Sequence, residues 1–379
     1  MSEWNDERLV RAALSQVCGP GTPRLARMVA EHGVEEVWCR VRAGEGEPGW
    51  SLRAAMCEPE RIAAQAEQHG IRFVIPGDAE WPSELGVLET PQATVAGMGG
   101  LPVGLWALGP ASLADVGRRG VAIVGARAAT RYGELVAQEL AAELHGFTVV
   151  SGGAYGIDSA AHRGAMEVGG ATLGVYAQGL DLVYPQGNWR MYQRLCAEHV
   201  VVSEAPPGVP PTKHAFLARN RLIAALARGS IVVEAAIRSG ARNTANWAGL
   251  MGRVVMAVPG PVTSAASVTP NRLIRDGEAA LVSSAEDVLA LLADLGTVGE
   301  TPSCAAPQPF DLLTPEQQAV HEALPVRGGR TVAELAPLSG LSMPKLHSAL
   351  VALELLGLAQ QVADGWRLVR QVAAPGKVR

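Results

Sequence analysis

Aromatic residues make up only 4% of the 379 residues, and the cysteines are few and scattered. The cysteines are Cys18, Cys39, Cys57, Cys196 and Cys304. None forms a C-x-x-C pair, so they fit neither a zinc site nor a disulfide framework, and we expect a reducing, cytoplasmic environment. No uncharged apolar run reaches about 18 residues, so we predict no membrane-spanning helix. The acidic, polar start MSEWNDERLV also argues against a secretory signal.

Motifs of common catalytic sites are missing as well. The sequence has no G-x-x-x-x-G-K-[ST] phosphate loop, no nucleophile elbow and no pair of carboxylates spaced for a metal. Asp158 and His162 lie four residues apart on one predicted helix face and could act as acid and base. A helix cap and a local contact explain this pair more simply. We therefore expect no catalytic residue, no metal and no cofactor.

Residues 121–163 carry the pattern on which the fold prediction rests. They read VAIVGARAATRYGELVAQELAAELHGFTVVSGGAYGIDSAAHR, which predicts strand, glycine turn and helix, twice over. After Gly125 the chain has Ala126 and Arg127, where a dinucleotide-binding turn has a second glycine. The second strand ends in Ser151-Gly152 without the acid that would hold a ribose. A guanidinium at a strand tip suits a phosphate or a base face, so an NAD site is disfavoured.

Strands alternate with helical patterns from residue 121 onward. The predicted strands are 121–124, 147–150, 171–177, 200–203, 230–234 and 253–257, with a helix over 133–145. This alternation predicts an α/β fold, an extended Rossmann-like, doubly wound and mostly parallel sheet covered by helices on both faces. Short apolar segments before residue 121 predict extra strands. Ligands of such sheets bind at the carboxyl ends of the strands, where the distinctive residues fall.

Two smaller units flank the predicted sheet. The first is helical, and its Gly-Pro turn, VCGPGTPR, resembles a SAM-like or helix-hairpin-helix turn. Such a turn can present N–H groups to a phosphate, but the excess of acids in this region favours a packing role. The last unit has three predicted helices and a β-wing turning at Asp364-Gly365, a winged-helix pattern whose recognition helix, 343–356, is not strongly basic. The predicted units are 1–70, 71–296 and 311–379, with a linker at 297–310.

Basic residues are unevenly distributed, although the net charge is −5. Residues 205–275 contain nine Lys or Arg and one acid, Glu234, whereas residues 276–322 contain nine acids and no Lys or Arg. This asymmetry is typical of a protein in which one face meets a polyanion. Solvated helix surfaces in an Arg-rich composition would produce the same pattern.

The segment SEAPPGVPPTKHAFLARNRLIAALA lies between the fourth and fifth of these strands. Its prolines predict an extended lead-in before a helix that begins near Arg219. Lys213 and Phe216 lie in this lead-in and supply a cation and a ring, the two features that bind a phosphate and a base of single-stranded nucleic acid. The alternative is that Phe216 caps the core while Lys213 is merely solvated.

Arginines at the start of this predicted helix oppose the helix dipole and require an anionic partner. For Arg219 and Arg221 that partner is either nucleic acid or an internal carboxylate, Glu204 or Glu234. A third anion-capable helix start follows the strand SIVVEAA and contains Arg242. Simple capping by the serine that precedes this helix explains it equally well.

Glycine turns and charged residues recur in a specific order along the central sheet. They are Gly125-Ala126-Arg127 with Thr130, Tyr132 and Gly133; Ser151-Gly152; Gly156-Ile157-Asp158; Ala161-His162; Tyr184-Pro185 with Asn188; Ser203-Glu204; Phe216 with Arg219-Asn220-Arg221; Glu234-Ala235; Ser239-Gly240 with Thr244-Ala245; Val258-Pro259-Gly260; and Leu273-Ile274 with Gly277. In this order the motifs resemble the DprA/Smf family of DNA-processing proteins. The helical first unit and the winged-helix last unit are similar to that family's common architecture.

The resemblance implies a non-enzymatic single-stranded DNA binder that forms a homodimer through its Rossmann-like unit. In transformation the family protects incoming strands and helps load RecA recombinase onto them. The family's DNA pocket maps onto Arg127, Lys213 and Phe216. Three departures bear on it: Ala126 replaces a common serine, Leu217-Ala218 replaces a proline-containing spacer, and Ala241-Arg242-Asn243 replaces a Ser-Leu-Ile type sequence.

We therefore predict a single-stranded DNA site at one edge of the sheet. Its residues are Gly125, Ala126, Arg127, Thr130, Ser151, Gly152, Lys213, Phe216, Arg219, Asn220, Arg221 and Arg242. One alternative is a Rossmann-like enzyme acting on a nucleotide or nucleoside phosphate, although the basic segment is larger than one small phosphate requires. Another is a transcription regulator that uses the winged helix.

Overall fold

The computed structural model describes residues 4–90, 93–237, 239–293 and 313–369. The chain forms two compact units, Met1–Gly299 and Glu300–Arg379. The predicted boundary between residues 70 and 71 falls inside the first unit and stays a prediction. The predicted linker, 297–310, lies outside the described residues.

The first unit begins with five helices, in agreement with its predicted helical character. They are α1 (Asp6–Cys18), α2 (Pro23–His32), α3 (Val34–Arg42), α4 (Trp50–Ala55) and α5 (Pro59–Gln68). Asn5 begins α1 by accepting a hydrogen bond from the Arg8 backbone N–H, and a proline at the first position starts α2 and α5. The helices bury a small core of their own around Leu14, Val37 and Trp50.

A nine-stranded sheet follows. Its strands are β1 (Arg72–Val74), β4 (Leu105–Leu108), β5 (Gly120–Val124), β6 (Thr148–Ser151), β7 (Thr172–Tyr176), β8 (Val200–Ser203), β9 (Gly229–Val232), β10 (Val254–Ala257) and β11 (Ala280–Leu281), while β2 (Thr94–Val95) and β3 (Met98–Gly99) form a separate hairpin. The order in the sheet is β1-β4-β8-β7-β6-β5-β9-β10-β11. Pairing is antiparallel from β1 through β4 to β8 and parallel across the rest. The predicted doubly wound, mostly parallel sheet is confirmed.

Helices cover both faces of this sheet because its strands are apolar on both sides. In β5, Val121 and Ile123 pack into one core, whereas Ala122 and Val124 pack into the opposite one. The covering helices are α6 (Leu113–Gly117), α7 (Arg131–Glu143), α8 (Ile157–Glu167), α9 (Trp189–Glu198), α10 (Lys213–Ala225), α11 (Gly240–Leu250), α12 (Val268–Arg275) and α13 (Ala285–Leu292), with 3-10 turns at Ser83–Glu89, Gln186–Asn188 and Ala265–Ser267. Each central strand lies within two residues of its predicted limits.

The strand order reverses next to β5. From β5 the chain runs outward through β6, β7 and β8, and then returns to place β9 on the other side of β5. Loops that leave β5 and its two neighbours diverge at this point, so their carboxyl ends border a crevice, the usual ligand position in such sheets. Both predicted glycine turns, after β5 and after β6, lie at this edge.

The five helices dock on the sheet through polar contacts as well as apolar ones. Arg8 pairs with Asp78 at 2.8 Å, and the Gly21 N–H donates to Glu204 Oε1 at 3.3 Å. Gly21 has a positive φ of 64°, and a Cβ there would lie 2.6 Å from the Ala218 Cβ. The Gly-Pro turn is therefore seated against α10, which favours the packing role over phosphate binding.

The second unit contains three helices, α14 (Pro315–Ala323), α15 (Val332–Ser339) and α16 (Met343–Leu355), and a hairpin of β12 (Ala359–Val362) and β13 (Gly365–Leu368). This is the element order predicted for a winged helix, although the two-residue hairpin loop is 363–364. On the predicted recognition helix, Lys345 lies 3.5 Å from Glu316. That pairing reduces the free positive charge the helix could offer to DNA.

In the described parts of both units, no helix is long and apolar enough to cross a membrane.

Candidate nucleic-acid interface

A cavity of about 160 Å³ opens at the carboxyl edge of the sheet, beside the strand-order reversal. It is lined by Arg127, Gly152, Ala154, Tyr155, Tyr176, Ala177, Gln178, Tyr184, Pro185, Phe216 and Arg219. These residues follow or end β5, β6 and β7, or lie on α10. Its walls are aromatic and its charged lining residues are arginines, so it combines ring faces with positive charge.

Phe216 is the central ring of the cavity. The Arg127 guanidinium carbon lies 4.8 Å from the Phe216 ring centroid, and that of Arg219 lies 5.7 Å away. The Tyr184 ring is tilted by 49° to Phe216 at 5.7 Å. Phe216 is half-buried and Arg127 is exposed. Part of the Phe216 ring is therefore accessible to solvent, as is the arginine beside it.

Helix α10 begins earlier than the sequence predicts, and this corrects the placement of Lys213 and Phe216. Thr212 caps the helix by accepting a hydrogen bond from the Ala215 N–H at 3.1 Å. The prolines end at position 211, so the predicted extended lead-in stops there. Lys213 and Phe216 lie three residues apart in the first turn and therefore on one helix face. The helix, rather than a loop, places Lys213 on the side of Phe216, although Lys213 does not itself line the cavity.

Arg219 forms the back wall of the cavity. It lies in the middle of α10 and is 7% exposed, and its Nη1 donates to the carbonyls of Gly152 at 2.8 Å and Val175 at 2.9 Å. Burial lowers the pKa of Arg219, and the nearby carboxylate of Asp158 opposes that shift. At Gly152, a Cβ would lie 2.5 Å from the Arg219 guanidinium carbon. Glycine is therefore required where the arginine crosses the second turn.

Three other predicted contacts lie outside the cavity lining. Arg221 is 1% exposed and pairs with Glu204 at 2.6 Å and 2.8 Å, which is the internal partner considered above. Asn220 donates to the Gly240 carbonyl and to Asn243 Oδ1. Arg242 pairs with Glu278 at 2.7 Å. Successive helix residues point about 100° apart, so residues 219, 220 and 221 cannot all face one ligand. The structure places Asn220, Arg221 and Arg242 outside the cavity lining, and their predicted direct contact with DNA stays a prediction.

The remaining predicted residues shape the two glycine turns. Thr130 begins α7, and its hydroxyl donates to Glu234 Oε1 at 2.7 Å. The Ser151 hydroxyl is buried and donates to the Ile123 carbonyl at 2.6 Å. At Gly125, a Cβ would lie 2.5 Å from the Ile157 side chain. Ala126 accepts a hydrogen bond from the Ile157 N–H at 3.2 Å, so these residues hold Arg127 in place rather than face the cavity.

Sequence reasoning missed several lining residues, chiefly Tyr155, Tyr176, Gln178 and Tyr184. Tyr184-Pro185 belongs to the motif series above but is not among the predicted site residues. The available signal was the position of Tyr155 just after the second glycine turn and of Tyr176 and Gln178 at a strand end, in a chain with few aromatics. The carboxyl ends of β5, β6 and β7 each contribute at least one lining residue, since neighbouring parallel strands end at the same edge of the sheet.

The Asp158–His162 pair does not form an acid–base dyad at this cavity. His162 is fully buried, and its Nδ1 contacts Thr172 Oγ1 at 2.7 Å. Thr172 already donates to the Val149 carbonyl, so His162 Nδ1 carries the proton and donates. Asp158 is also buried and accepts from the Ala154 N–H at 3.4 Å, and burial raises its pKa. Neither residue lines the cavity.

Burial lowers the pKa of His162 from its usual 6.5 to about 3. Below pH 6.5 the unfolded chain therefore binds a proton that the folded chain does not. The contribution of neutral His162 to the free energy of unfolding is complete above that pH and decreases as the solution is acidified. We expect His162 to account for a loss of about 2 kcal/mol in the free energy of unfolding between pH 7 and pH 5. Urea unfolding of the wild type and His162→Gln at both pH values measures this. Identical pH dependence in the two proteins would contradict it.

Comparisons with known proteins agree with the fold and the order of the motifs. The family model of DNA recombination-mediator protein A matches residues 72–293. A Mycobacterium tuberculosis protein named as a DNA processing protein DprA is 44% identical, over 96% of each chain. The DNA processing protein DprA of Streptococcus pneumoniae is 46% identical over 45% of this chain and 60% of its own length.

Solved structures give the same result. The X-ray structure of DNA processing protein A from Streptococcus pneumoniae superposes with a TM-score of 0.63 and 31% identity, covering 76% of this chain and 98% of the other. A Helicobacter pylori DNA processing protein A structure, described for its single-stranded DNA binding mode, has a TM-score of 0.50 and 27% identity, covering 58% and 95%. The family match extends over more than half of the chain, and it includes every strand that borders the cavity. This chain is therefore a member of the DprA/Smf family of DNA-processing proteins.

Proposed function

We propose that this protein binds single-stranded DNA and acts as a recombination mediator that protects incoming strands and helps load RecA recombinase in natural transformation. The observation that carries the proposal is the half-buried Phe216 ring, held between arginines in an aromatic cavity at the carboxyl edge of the sheet. A ring face accepts a base of any sequence, and a positive rim follows the phosphates.

The rim charges are available to a ligand. Lys213 and Arg127 are exposed, and within the described ranges neither forms an ion pair closer than 4.0 Å. Arg127 leans over Phe216, so one side chain can contact a phosphate while it supports the ring that receives the base. Arg219 adds fixed positive charge behind that ring.

We also propose that the protein is not an enzyme. The cavity lining contains no carboxylate, histidine, serine or cysteine, and Glu234 is already engaged by Thr130. Among the described residues there is no group of three or more His, Cys, Asp or Glu side chains that could hold a metal. A nucleotide-processing reaction needs an acid, a base or a metal at the phosphate. The ionisable side chains of the lining are arginines and tyrosines, and burial raises the pKa of Tyr176. Turnover of nucleoside monophosphates by the purified protein would overturn this part of the proposal.

A homodimer through the Rossmann-like unit, contact with RecA and a cytoplasmic location complete the proposal. Membership of the family supports all three, and the absence of a spanning helix in the described residues is compatible with the last. Mass measurement of the free and DNA-bound protein tests the dimer, with twice the 39.5 kDa chain mass expected.

Binding of fluorescent oligo-dT should weaken steeply as salt is raised, because phosphate contacts release counterions. Lys213→Gln should lower the affinity and reduce the slope of log K against log salt by about 0.7, the value for one lost contact to a single strand. Anisotropy titrations at several salt concentrations measure both quantities. Arg118→Gln, just before β5 at the opposite sheet edge, is the matched control and should keep the wild-type slope. Equal affinity for duplex DNA would contradict the pocket.

A further inference from the structure

The structure exposes few large aromatic side chains, and most of them lie in or next to the cavity. Within the described ranges they are Tyr132, Tyr155, Tyr184 and Trp189, with exposed fractions of 43%, 46%, 40% and 45%. Tyr155 and Tyr184 line the cavity, but Trp189 does not. An exposed tryptophan is uncommon because burying its ring is favourable, and a grouping of such residues marks a binding surface.

Trp189 is held next to the cavity by a short, well-connected turn. Tyr184 and Pro185 form part of the cavity wall, and the Gly187 N–H donates to the Tyr155 hydroxyl at 3.1 Å. A Cβ on Gly187 would lie 2.6 Å from that hydroxyl, so this contact in its present geometry favours glycine. The Asn188 amide donates to the carbonyls of Gly153 at 3.1 Å and Ala154 at 3.3 Å. Trp189 follows directly and begins α9.

Trp189 and Arg190 repeat the arrangement of Phe216 and Arg127. The Arg190 guanidinium carbon lies 5.4 Å from the Trp189 ring centroid, compared with 4.8 Å for Arg127 over Phe216. Arg190 is exposed and, within the described parts of the chain, has no carboxylate within 4.0 Å. The site therefore offers a second ring with a second unneutralised cation, which is suited to a base and its phosphate.

We propose that Trp189 and Arg190 form a second base-stacking platform for the same DNA strand, beyond the Phe216 cavity. This proposal rests on the single-stranded DNA binding proposed above. The Tyr155–Tyr184 wall connects the two positions, so a strand whose one base occupies the cavity can place a following base on Trp189. The repeated cation–ring pair favours nucleic acid.

Oligo-dT length separates the two platforms. With the shortest oligonucleotide that wild type binds, Trp189→Ala should retain wild-type affinity, since only the cavity is occupied. As the length rises toward about 16 nucleotides, wild type should gain affinity while Trp189→Ala falls behind by about fivefold or more. Trp189→Phe keeps a ring and should restore most of the difference. Arg190→Gln should lower the slope of log K against log salt by about 0.7, and only with long oligonucleotides. The control Arg118→Gln should leave that slope unchanged at both lengths.

Tryptophan fluorescence gives an independent readout. A base stacked on Trp189 quenches its emission, so quenching by long oligo-dT should be smaller in Trp189→Phe than in wild type. If Trp189→Ala follows wild type at every length, the second platform is wrong and Trp189 serves another partner. If Trp189→Ala already shows its full loss of affinity with the shortest oligonucleotide, Trp189 does not form a separate platform. If wild type itself binds no oligo-dT, the proposed function fails instead.

Discussion

Replacing Arg127 by glutamate is expected to weaken the binding of oligo-dT by about 100-fold or more. The change removes a charge-assisted phosphate contact and the guanidinium that lies 4.8 Å from the Phe216 ring centroid, and it places a negative charge beside the strand. Because Arg127 is exposed and makes no ion pair within the described residues, the fold should be unaffected. Fluorescence anisotropy at constant salt measures the affinity, and the melting temperature checks the fold.

The control for Arg127→Glu is the same charge reversal at the other end of β5. Arg118 is exposed and pairs only loosely with Asp115, at 3.3 Å, so Arg118→Glu should change the affinity by less than about threefold. Arg127→Gln separates the loss of the positive charge from the repulsion by a new negative charge, because it removes the first without adding the second. Wild-type affinity in Arg127→Glu would remove this residue from the site, and equal losses in both reversals would indicate only a general effect of net charge.

Replacing Arg221 by alanine is expected to lower the free energy of unfolding by about 3–5 kcal/mol, because it leaves the buried Glu204 carboxylate without its partner. The pair spans 2.6 Å and the arginine side chain is 1% exposed. Glu204 also accepts a hydrogen bond from the Gly21 N–H. Loss of the Arg221 partner should therefore weaken the packing of the five N-terminal helices against α10. Chemical denaturation measures the effect.

The double variant Glu204→Gln with Arg221→Met tests the cause of that loss. It removes both charges while the amide oxygen can still accept from Gly21, so it should be markedly more stable than Arg221→Ala. At a temperature where it is folded, Arg221→Ala should bind oligo-dT within about threefold of wild type, because its side chain lies outside the cavity. An affinity loss as large as that of Arg127→Glu would restore the direct DNA contact that the sequence predicted.

The part of the site that local sequence could predict is the part set by single strands and turns. Arg127 follows Gly125 directly after β5, and Gly152 follows β6, so both had to lie at the carboxyl edge of a parallel sheet. The K-x-x-F spacing of Lys213 and Phe216 likewise brings a cation and a ring together. That conclusion holds although the segment is helical, since a separation of three residues places two side chains on one helix face.

The direction of side chains in the middle of α10 could not be predicted in this way. The helix begins six residues earlier than predicted, so Arg219, Asn220 and Arg221 lie in its buried middle rather than at its open end. Their contacts, to the second glycine turn, to α11 and to Glu204, join residues 17 to 67 positions apart. The pairing of Arg242 with Glu278 is of the same kind. Such partners depend on how helices pack, which periodicity does not encode.

The sequence alone determined the doubly wound sheet, the helical character of the residues before it and the edge at which a strand of DNA is proposed to bind, because each follows from short-range periodicity, turn chemistry and motif order. Only the tertiary structure decided which cations face that edge. It neutralises Arg221 and Arg242 with distant carboxylates, keeps Arg127 and Lys213 open, and adds the aromatic wall that leads from Phe216 to Trp189. The physical reason is that the charge available to a ligand depends on which partners long-range packing supplies, and not on the residue type.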